Sequence, residues 1–144
     1  MNPADKLLQV PAEVGQLAAV RRFVREQARQ LGADESGIHD VVQAVDESVT
    51  NAIVHGYHGS AGVIEVEVDR RGSALIVRLR DEAPPFDPTG LPDPDTGLPL
   101  ERRQPGGLGV YLARELTDDM TYRQTGKGNE LTLVKVCIET KGDR

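Results

Sequence analysis

At 144 residues, with a formal charge of −6 and a pI near 5.1, the chain has the length of one domain with a two-layer core. Its acidity argues against a nucleic-acid binder, whose affinity comes from neutralising phosphates, and against an anionic membrane surface; no apolar run approaches a membrane span. With no Trp, two Phe and three Tyr, Val, Leu, Ile and Ala must build the core.

The opening MNPADKLLQV lacks the basic region and apolar run of a signal peptide, and KLLQV fits an edge strand. From Glu13 to Leu31, Val14, Leu17, Ala18, Val20, Phe23, Val24, Ala28 and Leu31 recur at helical spacing, and Gly32 supplies a stop. Arg21, Arg22, Arg25 and Arg29 occupy the other face, either as a solvated surface or as a docking surface for an acidic partner. A second helix is expected from Asp34–Ser36 to about His55, with Ile38, Val41, Val42, Val45, Val49, Ala52 and Ile53 on one stripe.

That helix carries an oddity, DESVTNAIVHG at 46–56. Glu47, Asn51 and His55 lie at i, i+4 and i+8 and form a polar stripe nearly opposite the valines. Asn and His are mediocre helix formers, so the stripe needs a reason: a solvated face, a metal or phosphate site, or a satisfied core network. Ala44 and Val54 flank it, so this second face is not fully polar. His39-Asp40 reads as helix surface.

VIEVEVDR (63–70) and SALIVRLRD (73–81) alternate apolar and polar residues as a hairpin with one covered face. Residues 82–107 hold seven of the nine prolines and form a loop of a length that is usually a lid or a linker. Its Gly-rich end runs straight into a helix, LGVYLARELTDD (108–119), which favours a lid at about 87–107. MTYRQ and ELTLVKVCIET read as two strands around TGKGN. The lone Cys137 offers no disulfide or zinc set and reads as a buried, inert thiol; a cytoplasmic protein is expected. The fold class is an α+β two-layer sandwich, a single domain over 1–144, with a mainly antiparallel sheet and helices on one face.

Three elements carry candidate chemistry. Asn51 offers a neutral oxygen suited to a hard cation such as Mg²⁺, and Glu47, one turn earlier, could orient or deprotonate a hydroxyl or water. Asp81 is either a strand-end carboxylate in a turn or an acceptor for an exocyclic amine. GGLG (106–109) opens a helix, where free N–H groups favour an anion, but without the spacing of a P-loop or dinucleotide motif. His55 reads as a helix C-cap in preference to a catalytic group.

The ordered motifs DESVTNAIVHGYHG, RDEAPPFDP and PGGLGVYLARELTDDMTYRQTGKGNELTLVK resemble the GHKL (histidine-kinase-like) ATPases, and among them the bacterial anti-sigma-factor serine/threonine kinases, from about Pro11 to Lys135. The resemblance implies a Bergerat-type ATP fold with ATP and Mg²⁺ as cofactors. It makes Glu47 the catalytic base, Asn51 the metal ligand, and Asp81 the reader of the adenine amine. It sets Gly107 and Gly109 near the phosphates, with Gly106, Leu108 and Val110 in the same box, and brings Arg103 or Arg102 to the γ-phosphate. His55, Pro85 and Phe86 join the nucleotide side. The usual DxGxG box reads DEAPP here, with Ala83 and Pro85 at glycine positions, which implies a stiffer pocket floor. Asn129 stands where a Thr is expected, and Thr132 is expected to supply a nearby hydroxyl.

The function so implied is an anti-sigma regulator in a bacterial stress response that phosphorylates a serine of a STAS-domain anti-anti-sigma protein and otherwise holds an RNA polymerase sigma factor. It would act as a homodimer, with no direct nucleic acid or membrane contact. The alternative is a non-catalytic nucleotide-binding anti-sigma module that sequesters its partner. A histidine-kinase core is less favoured, since no helical dimerisation segment precedes the ATP-binding unit.

Overall fold

The apolar run at the start is a strand. In the computed structural model, which describes residues 7–85, 87 and 107–140, β1 (Leu7–Pro11) turns Val10 inward and leaves Leu7 and Gln9 exposed. A short 3₁₀ turn (Val14–Gln16) leads into α1 (Leu17–Gln30), which buries Val20, Val24 and Ala28. The helix ends at Gly32, whose φ of 95° lets the chain reverse where a side chain would be strained.

Helix α2 (Glu35–Asn51) begins with Asp34 accepting the Gly37 N–H at 2.6 Å, a side-chain cap for an otherwise unpaired donor. Ile38, Val41, Val45 and Val49 are its core stripe. The α-helix stops earlier than its periodicity suggests, because Ala52–Gly56 is a π turn, closed by the Tyr57 N–H onto the Ala52 carbonyl at 2.9 Å. The backbone therefore ends this helix, and the capping role expected of His55 is not realised; His55 sits half-buried within the turn.

The wider turn delivers Tyr57 into the core at 7% exposure. Its hydroxyl donates to the Val63 carbonyl and accepts the Glu82 N–H, both at 2.7 Å, so one phenol ties the end of the helix to two strand ends. Tyr57→Phe is expected to lower unfolding stability by ~1–3 kcal/mol, because it strands a buried N–H and carbonyl; urea denaturation measures it.

Strands β2 (Val63–Arg71), β3 (Ala74–Asp81), β4 (Asp119–Gln124) and β5 (Asn129–Val136) complete an antiparallel five-stranded sheet in the order β1-β2-β3-β5-β4. Its last strand is shorter than the apolar run suggests: Cys137 and Ile138 turn away to bond the Ser73 carbonyl. Ile64, Val66, Val68, Leu75, Val77 and Leu133 face the helices, and Ala113 of α3 (Gly107–Glu115) joins the same core. The expected two-layer α+β sandwich with helices on one face is what forms.

The opposite face of the sheet is charged and paired. Arg80 reaches Glu65 and Glu67 at 2.9 Å and Glu130 at 2.7 Å, and Arg123 joins Glu130. On the inner face Lys135 bridges α2 and α3, contacting Asp40 at 3.1 Å and the Leu116 carbonyl at 3.0 Å. Cys137 is buried, and burial pushes its thiol pKa up, as an inert thiol requires. Among the described residues no helix is long and apolar enough to cross a membrane.

Candidate active site

The polar stripe of α2 faces α3, and this arrangement explains it. One side of α2 packs on the sheet and α1, while the other is covered by the helix that follows the long loop. Gly109 makes the close approach possible: a Cβ there would stand 2.9 Å from Glu47 Oε2. Glu47 is half-buried and forms no hydrogen bond or ion pair with the described residues. One turn on, Asn51 is 7% exposed and its Oδ1 is buried without any partner. An unpaired buried carbonyl oxygen is costly and uncommon in native proteins. It marks a place where a ligand supplies the missing interaction.

Asn51 lines a cavity with Ser48, Ala52, Gly56, Asp81, Val110, Met120, Tyr122 and Asn129. The far wall is the end of β3, where Asp81 pairs in register with Asn129 of β5. Gly128 brings the two strands together, since a Cβ there would lie 2.1 Å from the Asp81 carbonyl oxygen. Asp81 Oδ1 accepts from Asn129 Nδ2 at 2.8 Å and from the Ala83 N–H at 3.0 Å. Burial pushes the Asp81 carboxyl above its ordinary pKa, and these two donors pull it back. Asn129 Nδ2 also reaches the Ala83 and Pro84 carbonyls at 3.2 Å, and the Tyr122 hydroxyl donates to Asn129 Oδ1.

Of the residues singled out from sequence, Asn51, Asp81 and Val110 share this cavity, with Glu47 and Gly109 pressed together beside it. Gly107 and Leu108 form the first turn of α3. Pro85 is exposed just beyond the Asp81 turn, and His55 is not among the lining residues. Thr132 is a correction. It pairs with Arg78 and Thr121, and strand alternation sets it on the charged outer face, away from Asp81. Asn129 takes the place expected for its hydroxyl. Phe86, Arg102, Arg103 and Gly106 lie outside the described residues, as does the expected lid at about 87–107 apart from Asp87 and Gly107.

The donor set fits Mg²⁺. Mg²⁺ takes few protein ligands, prefers oxygen and shares phosphate oxygens; Asn51 Oδ1 is one unpaired oxygen, and no cluster of three His, Cys, Asp or Glu competes for a metal among the described residues. The cavity as it stands is about 40 Å³, room for a water, while small-molecule pockets run to ~300 Å³ or more.

The family model described as histidine kinase-like ATPase domain matches residues 10–135. The serine-protein kinase RsbW of Staphylococcus aureus strain JH9 is 27% identical over 148 residues, covering 95% of this chain and 92% of that protein. The RsbW of strain Newman matches to the same extent. The crystal structure of the RsbU and RsbW domains of Rv1364c from Mycobacterium tuberculosis has the same fold, with a TM-score of 0.62 at 24% identity over 91% of this chain and 32% of that longer one. With the family match spanning most of its length, this chain belongs to the histidine kinase-like ATPases.

Proposed function

We propose that residues 1–144 act as one ATPase domain, an anti-sigma factor that uses Mg-ATP to phosphorylate a serine of a STAS-domain anti-anti-sigma protein. In its other state it would hold an RNA polymerase sigma factor, as a cytoplasmic homodimer in a stress-response circuit. The observation that carries this reading is the unpaired Oδ1 of Asn51, one turn from an unpaired Glu47.

A bound Mg²⁺ would supply positive charge that neutralises the phosphates. Asn51 would hold it through Oδ1. Asp81 accepts the exocyclic amine of the base, and the free N–H groups at the start of α3 face phosphate oxygens. Glu47 accepts the proton of the incoming serine hydroxyl as the oxygen turns toward the γ-phosphate. Such a reaction is mainly positioning and charge neutralisation, which suits a site with so few reactive groups.

Calorimetric titration with ATP, with and without Mg²⁺, tests the site. The parent is expected to bind in a metal-dependent way, and Asn51→Ala to lose the metal-dependent part, by about tenfold or more in affinity. Binding that ignores both the metal and the substitution would sink the assignment.

One observation keeps a second reading alive. Ala83 is 3% exposed where the family pattern has a glycine, and the cavity is narrow, which suits a non-catalytic module that sequesters its partner. Transfer of phosphate to the antagonist separates the two.

A further inference from the structure

We propose that Asn129 is a positioning residue that makes Asp81 a pure hydrogen-bond acceptor toward the cavity, and so selects a 6-amino over a 6-oxo purine, with Tyr122 completing the hydrogen bonding of the Asn129 amide. The inference rests on reading the cavity as a nucleotide pocket, and its geometry belongs to this chain.

An asparagine amide can be turned either way, but here only one orientation satisfies its neighbours. The Tyr122 hydroxyl donates to Oδ1. At the other end stand three acceptors: Asp81 Oδ1 and the carbonyls of Ala83 and Pro84. Reversed, Oδ1 would face all three oxygens, which sets the orientation; the Tyr122 hydroxyl, able to donate or accept, completes it by donating to Oδ1. Asn129 is 7% exposed, and the three acceptors hold the amide with its nitrogen on Asp81.

The consequence falls on Asp81. Its Oδ1 is occupied by two N–H donors, and Oδ2, without a partner in the structure, is left for a ligand of the cavity that Asp81 lines. An ionised carboxylate accepts from an exocyclic amine and repels a carbonyl; a protonated one donates to a carbonyl and the discrimination shrinks. Asn129 bonds the ionised form and opposes the effect of burial. The other ionisable groups nearby are Tyr57, Glu82 and Tyr122. The Arg80 guanidinium is engaged by Glu65, Glu67 and Glu130 on the far face, α2 brings Ser48 and Asn51, and α3 brings Val110.

The sign follows. Removing Asn129 raises the Asp81 pKa, so the ionised form is lost at higher pH than in the parent. The test has two arms. Carbon NMR follows the Asp81 carboxyl through a pH titration of the unliganded parent, Asn129→Ala, Asn129→Thr and Tyr122→Phe. Calorimetry follows ADP and IDP, which differ in the 6-substituent of the base and in the proton that the 6-oxo form carries on N1, over the same pH range.

In Asn129→Ala the Asp81 midpoint is expected to rise, the acid limb of ADP binding to rise with it, and the ADP-to-IDP preference to fall about tenfold. Asn129→Thr restores a hydroxyl donor and is expected to recover part of the loss. Tyr122→Phe loosens the amide and is expected to move all three readouts the same way by less; it carries the test if Asn129→Ala does not fold. An unmoved Asp81 midpoint in a folded variant overturns the role of Asn129 even where ADP binds. If the parent binds neither nucleotide, the nucleotide reading of the cavity falls and the selection with it, whatever the titration shows.

Discussion

Glu47→Ala is expected to cut phosphotransfer to the antagonist serine by ~10²–10⁴-fold, the range for loss of a general base, while Mg-ATP still binds. Glu47 stands one turn before Asn51, ~5–6 Å away between Cβ atoms on the same helix face, so a hydroxyl near the metal-bound phosphate falls within its reach. It is half-buried, forms no hydrogen bond or ion pair with the described residues, and is not among the cavity-lining residues, which separates it from base binding. Gly109 confines it, since any side chain at that position would meet Oε2. Glu47→Gln keeps the shape and removes the basicity, so both variants are expected to fall together. Single-turnover transfer from labelled ATP, beside calorimetry, measures the split. Transfer at the parental rate in either variant would remove Glu47 from the chemistry and leave the sequestering module as the better account.

Gly128→Ala is the substitution expected to do most to the fold. The added methyl would sit 2.1 Å from the Asp81 carbonyl oxygen and 2.7 Å from Glu82 Cα. Both are backbone atoms, so no side chain can swing aside, and the junction of β3 and β5 must open. Overpacking of this kind costs ~1–3 kcal/mol, occasionally more, and it acts where Asn129 reaches Asp81. A lower denaturation midpoint and a weaker ADP affinity are expected together. A variant as stable as the parent would mean that the strands separate there at little cost.

Much of this was readable in the sequence because the relevant periods are short and clean. The valines of α2 and the alternation in VIEVEV gave the element and its buried face. The change of pattern after Gly107 gave a helix expected to Asp119 that ends at Glu115, where β4 (Asp119–Gln124) soon begins. KLLQV, only five residues long, nevertheless became the edge strand β1 (Leu7–Pro11). The π turn at Ala52–Gly56 has no sequence signal of its own: its residues suit an α-helix, and it forms because Tyr57 must reach the Val63 carbonyl and the Glu82 N–H. Thr132 was misjudged for a different reason. Proximity along the chain suggested a hydroxyl near Asp81, but Leu131 and Leu133 mark the inner face of β5, so an even-numbered residue between them faces outward. That parity was available beforehand and points to Asn129. The partnership of Asn129 with Tyr122 was not available, because it depends on the register Gln124↔Asn129 across the β4–β5 hairpin.

The narrowness of the cavity has a thermodynamic consequence. If the cavity, about 40 Å³ here, must widen to accept a nucleotide, the observed affinity is the intrinsic one scaled by the fraction of molecules already open. Any protein that grips the open arrangement of α3 raises that fraction and tightens nucleotide binding. By reciprocity, the nucleotide tightens the hold on that protein by the same factor. A partner that favours the closed arrangement does the reverse. Two partners that favour opposite arrangements would therefore respond in opposite directions to bound nucleotide through one helix, with no contact between either of them and the base.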